Sequence, residues 1–294
     1  MDATDDIQAY CRDKAPAPGS SRYYAYRWVP AETRPGLLAL HALLSDLLAT
    51  GEPGREPGVA VARLQWWQEE IGRWQAGHPR HPATRALAPY LERCNLPAEY
   101  FQELLDGIAM DLGRDAMETW SDLALYAHRT GGMPQLLVAE LLGIGHRATR
   151  RHATGLGTAL RLAAIIRNLG RDLRQGRLYL PADELAALGL RRQDLERLRT
   201  PPALVTLLQG HAERVRRQLD RARGELAAED RAAQRPGLIL AALCEATLVA
   251  LERDGFAVLE RRLSLTPLRK LWIAWRTEAR ERRLCRRLAA GRSD

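Results

Sequence analysis

The sequence predicts an all-α protein that folds as a helical bundle. Its 294 residues are 46% hydrophobic, which is enough to bury one large core without crosslinks. Apolar residues recur with helical spacing along most of the chain, as at 101–112, where they follow the i, i+3, i+4, i+7 pattern. The alternating pattern of a half-buried strand has no comparable support. One helical domain is therefore expected.

Proline and glycine divide this periodicity into eight predicted helices. In chain order they span 31–49, 58–76, 97–113, 118–143, 147–176, 202–228, 234–256 and 266–288. Turn residues at 50–54 and 200–202 separate neighbouring helices. The run from Gly131 to Pro134 lies inside the fourth helix and should kink or interrupt it, because proline removes a backbone donor.

The charge and the cysteines limit the class of protein. A net charge of +8 permits nucleic acid, phospholipid headgroups or a diphosphate as partner. Aromatic residues are not interleaved with the arginines of the last helix, so a nucleic-acid role is disfavoured. The four cysteines lie far apart, without the paired spacing of a zinc site, which fits a reducing cytoplasm.

Neither end of the chain resembles a membrane anchor. The first residues carry acids where a signal peptide carries bases, and no stretch reaches about 18 apolar residues. A cytoplasmic protein is predicted, with contact to a membrane surface as an alternative. The last helix contains Leu271, Trp272, Ile273 and Trp275, which we expect to pack on the body rather than lie on lipid.

Polar residues follow one stripe of the fifth predicted helix. Arg161, Ala164, Asn168 and Asp172 are spaced by 3, 4 and 4 residues and share a face. A second stripe of arginines, at 167, 171 and 174, runs beside them. Such a face is exposed to solvent or lines a polar cavity, and spacing alone favours solvent.

The amino-acid sequence of this helix resembles that of a known family. The run 165–172, IIRNLGRD, followed by 176–181, GRLYLP, resembles the second aspartate-rich segment of squalene and phytoene synthases. The opening run 20–25, SSRYYA, resembles the first characteristic segment of these synthases. Short motifs similar to theirs follow in the same order at 64–67, 110–112, 122–132 and 255–270. The resemblance spans about residues 20–275 and implies a single-domain isoprenoid synthase fold around a central cavity. It assigns 20–288 to this domain, 1–19 to an N-terminal extension and 289–294 to a frayed tail.

The same resemblance implies a metal-dependent reaction. In this family, two aspartate-rich helices hold Mg²⁺ ions that bind the diphosphate of a prenyl donor, and two prenyl chains join head to head in an apolar tunnel. Several carboxylates are needed, because Mg²⁺ prefers oxygen ligands and the departing diphosphate carries negative charge.

The first aspartate-rich segment, at 39–52, departs from this pattern. Leu48 and Ala49 stand where aspartates are usual, and neither offers an oxygen ligand. Ser45 replaces the family's arginine. Glu52 can stand in for the last aspartate. Asp46 lies about 200° around the helix from Leu48, so it should point elsewhere.

The second segment is weakened as well. Arg161 and Ala164 replace the usual glutamine and asparagine, Asn168 replaces the first aspartate, and Arg171 replaces an acid. Asp172 remains a carboxylate. The residues predicted to contact substrate are Arg22, Tyr23, His41, His128, Arg167, Asn168, Arg171 and Arg177, and the predicted vestigial metal ligands are Glu52 and Asp172. His41 and His128 stand where tyrosines are usual, and a single histidine is more commonly a core residue than a ligand.

Two functions remain open from the sequence. The leading hypothesis is a synthase-like protein with little or no metal-dependent prenyl condensation, which binds an isoprenoid, a diphosphate or a protein partner. Its weakened first segment and Trp66-Trp67 resemble the family branch that serves as a respiratory complex I assembly factor. The alternative is an active Mg²⁺-dependent prenyltransferase. In a variant of that alternative, Arg167, Arg171 and Arg177 neutralise the diphosphate without metal.

Overall fold

The computed structural model describes residues 3–52, 54, 56–91, 93–94, 96–113, 117–196 and 199–290, and these contain helices and no strand. The α-helices are α1 Ala3–Asp13, α2 Ser21–Ala25, α3 Arg34–Thr50, α4 Pro57–Gln75, α5 Pro82–Leu87, α6 Ala98–Gly113, α7 Trp120–Ala127, α8 Met133–Leu142, α9 Arg147–Arg174, α10 Ala182–Ala187, α11 Arg192–Leu195, α12 Pro202–Gly224, α13 Arg235–Arg253 and α14 Pro267–Ala290. The all-α prediction is confirmed.

Each of the eight predicted helices is present, with ends within four residues of the prediction. Proline in the first turn helps to start α3, α4, α12 and α13. Its fixed φ suits a helix, and backbone N–H groups in the first turn make no intrahelical hydrogen bond, so none is lost. The sequence pattern did not predict α1 or the short helices α2, α5, α10 and α11. Four- to six-residue helices carry too little periodicity to be recognised.

The long helix α9 lies at the centre of the bundle and packs against α8, α12 and α13. One buried cluster surrounds α3, α4, α6 and α8 and includes Leu40, Trp74 and Phe101. The other surrounds α9, α12 and α13 and includes Ile166 and Leu208. Residues of α9 contribute to both clusters, so this helix holds the two halves of the core together.

The predicted helix over 118–143 is interrupted, as expected, by a π-helical turn at His128–Gly132 between α7 and α8. Gly131 in this turn approaches Gly157 of α9 closely. A Cβ atom on Gly157 would overlap the Gly131 carbonyl oxygen and lie 2.6 Å from Cβ of Gln135. Glycine at 157 therefore lets α9 approach the turn backbone to backbone.

Gly157→Ala should lower the free energy of unfolding by about 2 kcal/mol, because the added methyl group meets backbone that cannot move aside. The matched control is Gly210→Ala in α12, where a Cβ atom would meet nothing within 4 Å. That change should raise stability by about 0.5–1 kcal/mol through helix propensity. Urea unfolding measures both, and equal effects would contradict the close approach.

The N-terminal segment packs on the body through α1. Cys11 is buried in the first core cluster. The Tyr10 hydroxyl donates to one carboxylate oxygen of Asp46 at 2.6 Å, and the Lys14 ammonium donates to the other at 2.6 Å. Asp46 therefore points away from the second aspartate-rich segment, as predicted. The domain boundary at residue 20 stays a prediction, and residues 291–294 of the predicted tail lie outside the described residues.

The last helix corrects one expectation from the sequence. Trp272 and Trp275, which were expected to pack on the body, are 54% and 58% exposed. Ile273 does lie against the core. The buried face of α14 instead contains Ala274, Thr277, Glu278 and Glu281. Across the described part of the chain, no helix is both long and apolar enough to span a bilayer.

Candidate functional site

The second aspartate-rich segment occupies the C-terminal half of α9. Asn168 and Asp172 are 7% and 6% exposed, so their stripe faces the interior. Spacing alone favoured solvent, and that interpretation is wrong for these two residues. The apolar residues Ile165 and Ile166 of α9 are also buried, whereas Arg171 and Arg174 are exposed.

Asp172 is held in an ion pair. The Arg171 guanidinium donates to one oxygen of Asp172 through Nε at 3.0 Å and through Nη2 at 2.8 Å. Burial raises the pKa of Asp172, and the positive charges of Arg171, Arg161 and Arg177 oppose this rise in its pKa. The one carboxylate that remains in this segment is thus committed to an arginine.

Arg161 lies over a stacked pair of tyrosines. The rings of Tyr126 and Tyr179 are 5.0 Å apart and nearly parallel, at 15°. The Arg161 guanidinium lies 5.0 Å and 5.7 Å from the two ring centres and donates to the Tyr126 hydroxyl. A guanidinium gains from the negative face of an aromatic ring, so the stack holds a cation inside the bundle.

Asp111 of α6 accepts hydrogen bonds from both tyrosines. The Tyr126 and Tyr179 hydroxyls donate to it at 2.9 Å and 2.7 Å. Burial raises the pKa of both tyrosines, so both hydroxyls stay protonated as donors. Arg177 lies 3.8 Å from Asp111 and also donates to the Gly51 carbonyl at the end of α3. Arg177 thereby bridges the first and second aspartate-rich segments.

The residues present do not fit a magnesium site. Mg²⁺ takes about six oxygen ligands in near-octahedral geometry. Leu48 packs against the core and Glu52 is exposed. Asp111 is held by two tyrosine hydroxyls, and Asp172 pairs with Arg171. Within the described ranges, no group of three or more acidic, histidine or cysteine side chains is arranged to hold a metal ion.

A separate cavity of about 340 Å³ opens between the N-terminal segment and the loop after α13. It is rich in cations and hydroxyls, and we call it the cationic pocket. Its polar lining residues are Ser20, Ser21, Arg22, His41, Arg167, Arg262, Ser264 and Lys270. Arg22 and Arg262 lie exposed at the rim, while Arg167, His41 and Lys270 are half-buried. The Lys270 ammonium donates to the Gly19 carbonyl at 2.8 Å.

The cationic pocket carries an excess of positive charge. Among the residues that the structure describes, none of Arg22, Arg167, Arg262 and Lys270 pairs with a carboxylate. Burial lowers the pKa of Arg167 and of Lys270, and repulsion from Arg262 lowers both pKa values further. Neighbouring cations repel one another, and an anion bound between them offsets this repulsion. The pocket is therefore suited to an anion with several oxygens, such as a phosphate or diphosphate.

His41 should make folding stability depend on pH. Burial, with the positive charge of Arg22, lowers the pKa of His41 to about 4. The unfolded chain binds this proton near pH ~6.5, so acidification favours unfolding and the stability present above that pH is lost as pH falls. From about pH 7.5 to about pH 5, the wild type should lose about 2 kcal/mol more than His41→Gln.

Urea unfolding at the two pH values measures this difference. The exposed His78, replaced by glutamine, serves as the control and should follow the wild type. If His41→Gln and the wild type lose stability in parallel, His41 is not held neutral by its surroundings.

The structure brings some predicted site residues together and separates others. Arg22, His41 and Arg167 line the cationic pocket. Arg171 instead pairs with Asp172 on the same helix, and Arg177 lies 3.8 Å from Asp111 of α6. Outside both places, Tyr23 is 37% exposed beside Tyr24, and His128 lies half-buried in the π-helical turn.

Sequence reasoning missed several residues as members of a site. They are Asp111, Tyr126, Tyr179, Arg262 and Lys270. A signal existed for Asp111, a single acid in the last turn of an otherwise apolar helix face. Lys270 is one of two lysines in an arginine-rich chain, but nothing in its neighbourhood in the sequence links it to Arg167.

A family model described as squalene/phytoene synthase matches residues 15–269. The chain belongs to the squalene/phytoene synthase family. Phytoene synthase of Thermus thermophilus is 34% identical over 194 residues, which is 64% of this chain and 65% of that protein. The chain thus matches just under two thirds of that relative's length. Phytoene synthase of Mycobacterium bovis is 30% identical over 257 residues, or 86% and 84% of the two chains.

Solved structures support the isoprenoid synthase fold expected for this family. A dehydrosqualene synthase in complex with a ligand superposes with a TM-score of 0.81 at 20% identity, covering 94% of this chain and 96% of that one. A squalene synthase from Alicyclobacillus acidocaldarius gives 0.73 at 24% identity, covering 86% and 95%. These likenesses concern the fold. The expected resemblance to the complex I assembly branch stays a prediction.

Proposed function

We propose that this member of the squalene/phytoene synthase family performs little or no metal-dependent prenyl condensation and binds a prenyl diphosphate or related isoprenoid ligand. The observation that carries the proposal is that the carboxylates of the site are already engaged. Asp172 pairs with Arg171, and Asp111 of α6 accepts hydrogen bonds from two tyrosine hydroxyls and lies 3.8 Å from Arg177. The diphosphate would bind in the cationic pocket. The same loss of carboxylates is also compatible with binding of a protein partner.

Electrostatics supports the loss of metal binding. Arg161 and Arg177 place two fixed positive charges beside Asp111 and Asp172. A divalent cation about 6 Å from one guanidinium is opposed by about 5 kcal/mol at an effective dielectric constant of about 20. Asp172 accepts from Arg171 and Asp111 accepts from Tyr126, so neither can offset this repulsion fully while keeping its present hydrogen bonds.

The chemistry of the cationic pocket supports binding of a diphosphate without metal. Guanidinium groups match the spacing of phosphate oxygens and keep their charge at any physiological pH. Arg167 and Arg262 supply two such groups, Lys270 adds an ammonium, and the hydroxyls of Ser20 and Ser21 add neutral donors. In this role the residues bind the diphosphate and neutralise its charge, and no covalent bond of the ligand is broken.

The second candidate function is an active prenyltransferase that condenses two prenyl diphosphates head to head. It is favoured by the relatives named phytoene synthase at 34% and 30% identity. Product analysis with purified protein, Mg²⁺ and farnesyl or geranylgeranyl diphosphate separates the two functions. We expect no product, and a squalene- or phytoene-like product from the wild type would establish the transferase.

A restored variant sharpens this test. Leu48→Asp, Ala49→Asp and Asn168→Asp together return carboxylates to both segments. Product from this variant alone would support loss of the metal site as the reason for inactivity.

Calorimetric titration with the same diphosphates tests binding directly. The dissociation constant should be unchanged by EDTA, and a collapse of binding on chelation would overturn the metal-free site. Absence of any thermal shift with either diphosphate would favour the protein partner.

A further inference from the structure

The C-terminal helix α14 presents an apolar stripe to solvent. Leu268, Leu271, Trp272 and Trp275 follow the i, i+3, i+4, i+7 spacing, so they share one face. Their side chains are 80%, 37%, 54% and 58% exposed. Two tryptophans and two leucines left exposed on one helix face form an unusual surface for a monomeric domain.

The opposite face of α14 is fixed to the body, so the stripe cannot turn inward. Ala274, Glu278 and Glu281 are buried there. The Arg235 guanidinium donates to Glu278 at 2.7 Å, and the Arg231 guanidinium donates to Glu281 at 2.6 Å. Rotating α14 to hide the tryptophans would break both buried ion pairs.

The exposed part of α14 carries only positive charge. Glu278 and Glu281 are its two acidic residues, and both are buried and paired. The basic residues of the helix are Arg269, Lys270, Arg276, Arg280, Arg282, Arg283, Arg286 and Arg287. The Arg276 guanidinium lies 5.2 Å from the Trp272 ring centre, so a cation borders the stripe directly.

The geometry points to α14 as a docking helix for an anionic phospholipid membrane surface. Tryptophan is enriched where hydrocarbon meets headgroups, and arginines at the edge of an apolar face attract anionic headgroups. A second copy of this chain fits poorly, because two such helices would bring their arginines against each other.

Vesicle sedimentation tests the docking helix with ligand-free protein. The wild type should sediment with vesicles of phosphatidylcholine and phosphatidylglycerol, and less with phosphatidylcholine alone. Trp272→Ser with Trp275→Ser should reduce the bound fraction at least about fivefold. The matched control is Val59→Ser with Val61→Ser on α4, whose side chains are 48% and 47% exposed. It should bind like the wild type.

Three results would overturn the inference. They are no sedimentation of the wild type with anionic vesicles, equal sedimentation of the tryptophan variant, or a wild-type dimer in light scattering that the tryptophan variant abolishes. The last result would make the stripe an interface between copies. Thermal melting confirms that the variants are folded. The test needs no diphosphate, so its outcome is independent of the proposed ligand.

Discussion

Replacing Asp111 with alanine is expected to lower the free energy of unfolding by about 4 kcal/mol. Its carboxylate accepts hydrogen bonds from Tyr126 and Tyr179 and lies 3.8 Å from the Arg177 guanidinium. Without it, two buried hydroxyls lose their acceptor, and the positive charges of Arg161 and Arg177 lose their nearest negative group. Urea unfolding followed by circular dichroism measures the loss.

Asp106→Ala is the matched control on the same helix. Its carboxylate lies 3.9 Å from Arg129 but is 41% exposed, so its loss should cost at most about 0.5 kcal/mol. Adding Arg177→Met to Asp111→Ala should recover about 1 kcal/mol or more, because the unpaired cation is then absent. If Asp111→Ala costs no more than Asp106→Ala, the buried network does not stabilise the fold.

Removing two cations from the cationic pocket is expected to weaken binding of inorganic diphosphate about 100-fold. In the variant Arg167→Met with Arg262→Met, the methionines preserve side-chain length and remove the charged donors. A hydrogen bond to a charged group contributes about 1.5 kcal/mol or more, and two such losses give about 3 kcal/mol. Calorimetric titration in EDTA measures the dissociation constants.

Arg261→Met controls for loss of charge beside the pocket. Arg261 is the chain neighbour of Arg262, but its side chain is 65% exposed and pairs with Asp254. Its replacement should leave the dissociation constant within about twofold of the wild type. Wild-type affinity in the double variant would mean that diphosphate does not bind in this pocket.

The relatives and the local chemistry support different conclusions about catalysis. Similarity to named phytoene synthases extends over most of the chain. The reaction depends on a few carboxylates, which can be lost while the fold persists. Leu48 and Ala49 carry no oxygen ligand, and Arg177 donates a hydrogen bond to the Gly51 carbonyl of the first segment.

The helices could be predicted because their signals are local. The apolar spacing of α6 and the prolines that start α12 and α13 depend on residues within a few turns of one another. The short helices α5 and α10 contain only six residues each, which is too few for such a repeat.

The candidate site was only partly predictable. The resemblance placed Arg22, His41 and Arg167 among substrate-contacting residues, and these three do share one pocket. It grouped Arg171 and Arg177 with them, and the structure separates these two by pairing them with Asp172 and Asp111. Which carboxylate an arginine reaches depends on helices that are distant in the sequence.

The sequence by itself determined the helical bundle, because periodicity belongs to each segment alone, and it determined that Leu48 and Ala49 carry no side-chain oxygen. Only the tertiary structure decided the partners of the remaining charges and the direction of Trp272 and Trp275. Hydrogen bonds, ion pairs and burial between elements depend on how distant helices pack, and a helical stripe fits a core or a membrane equally well until one face is covered.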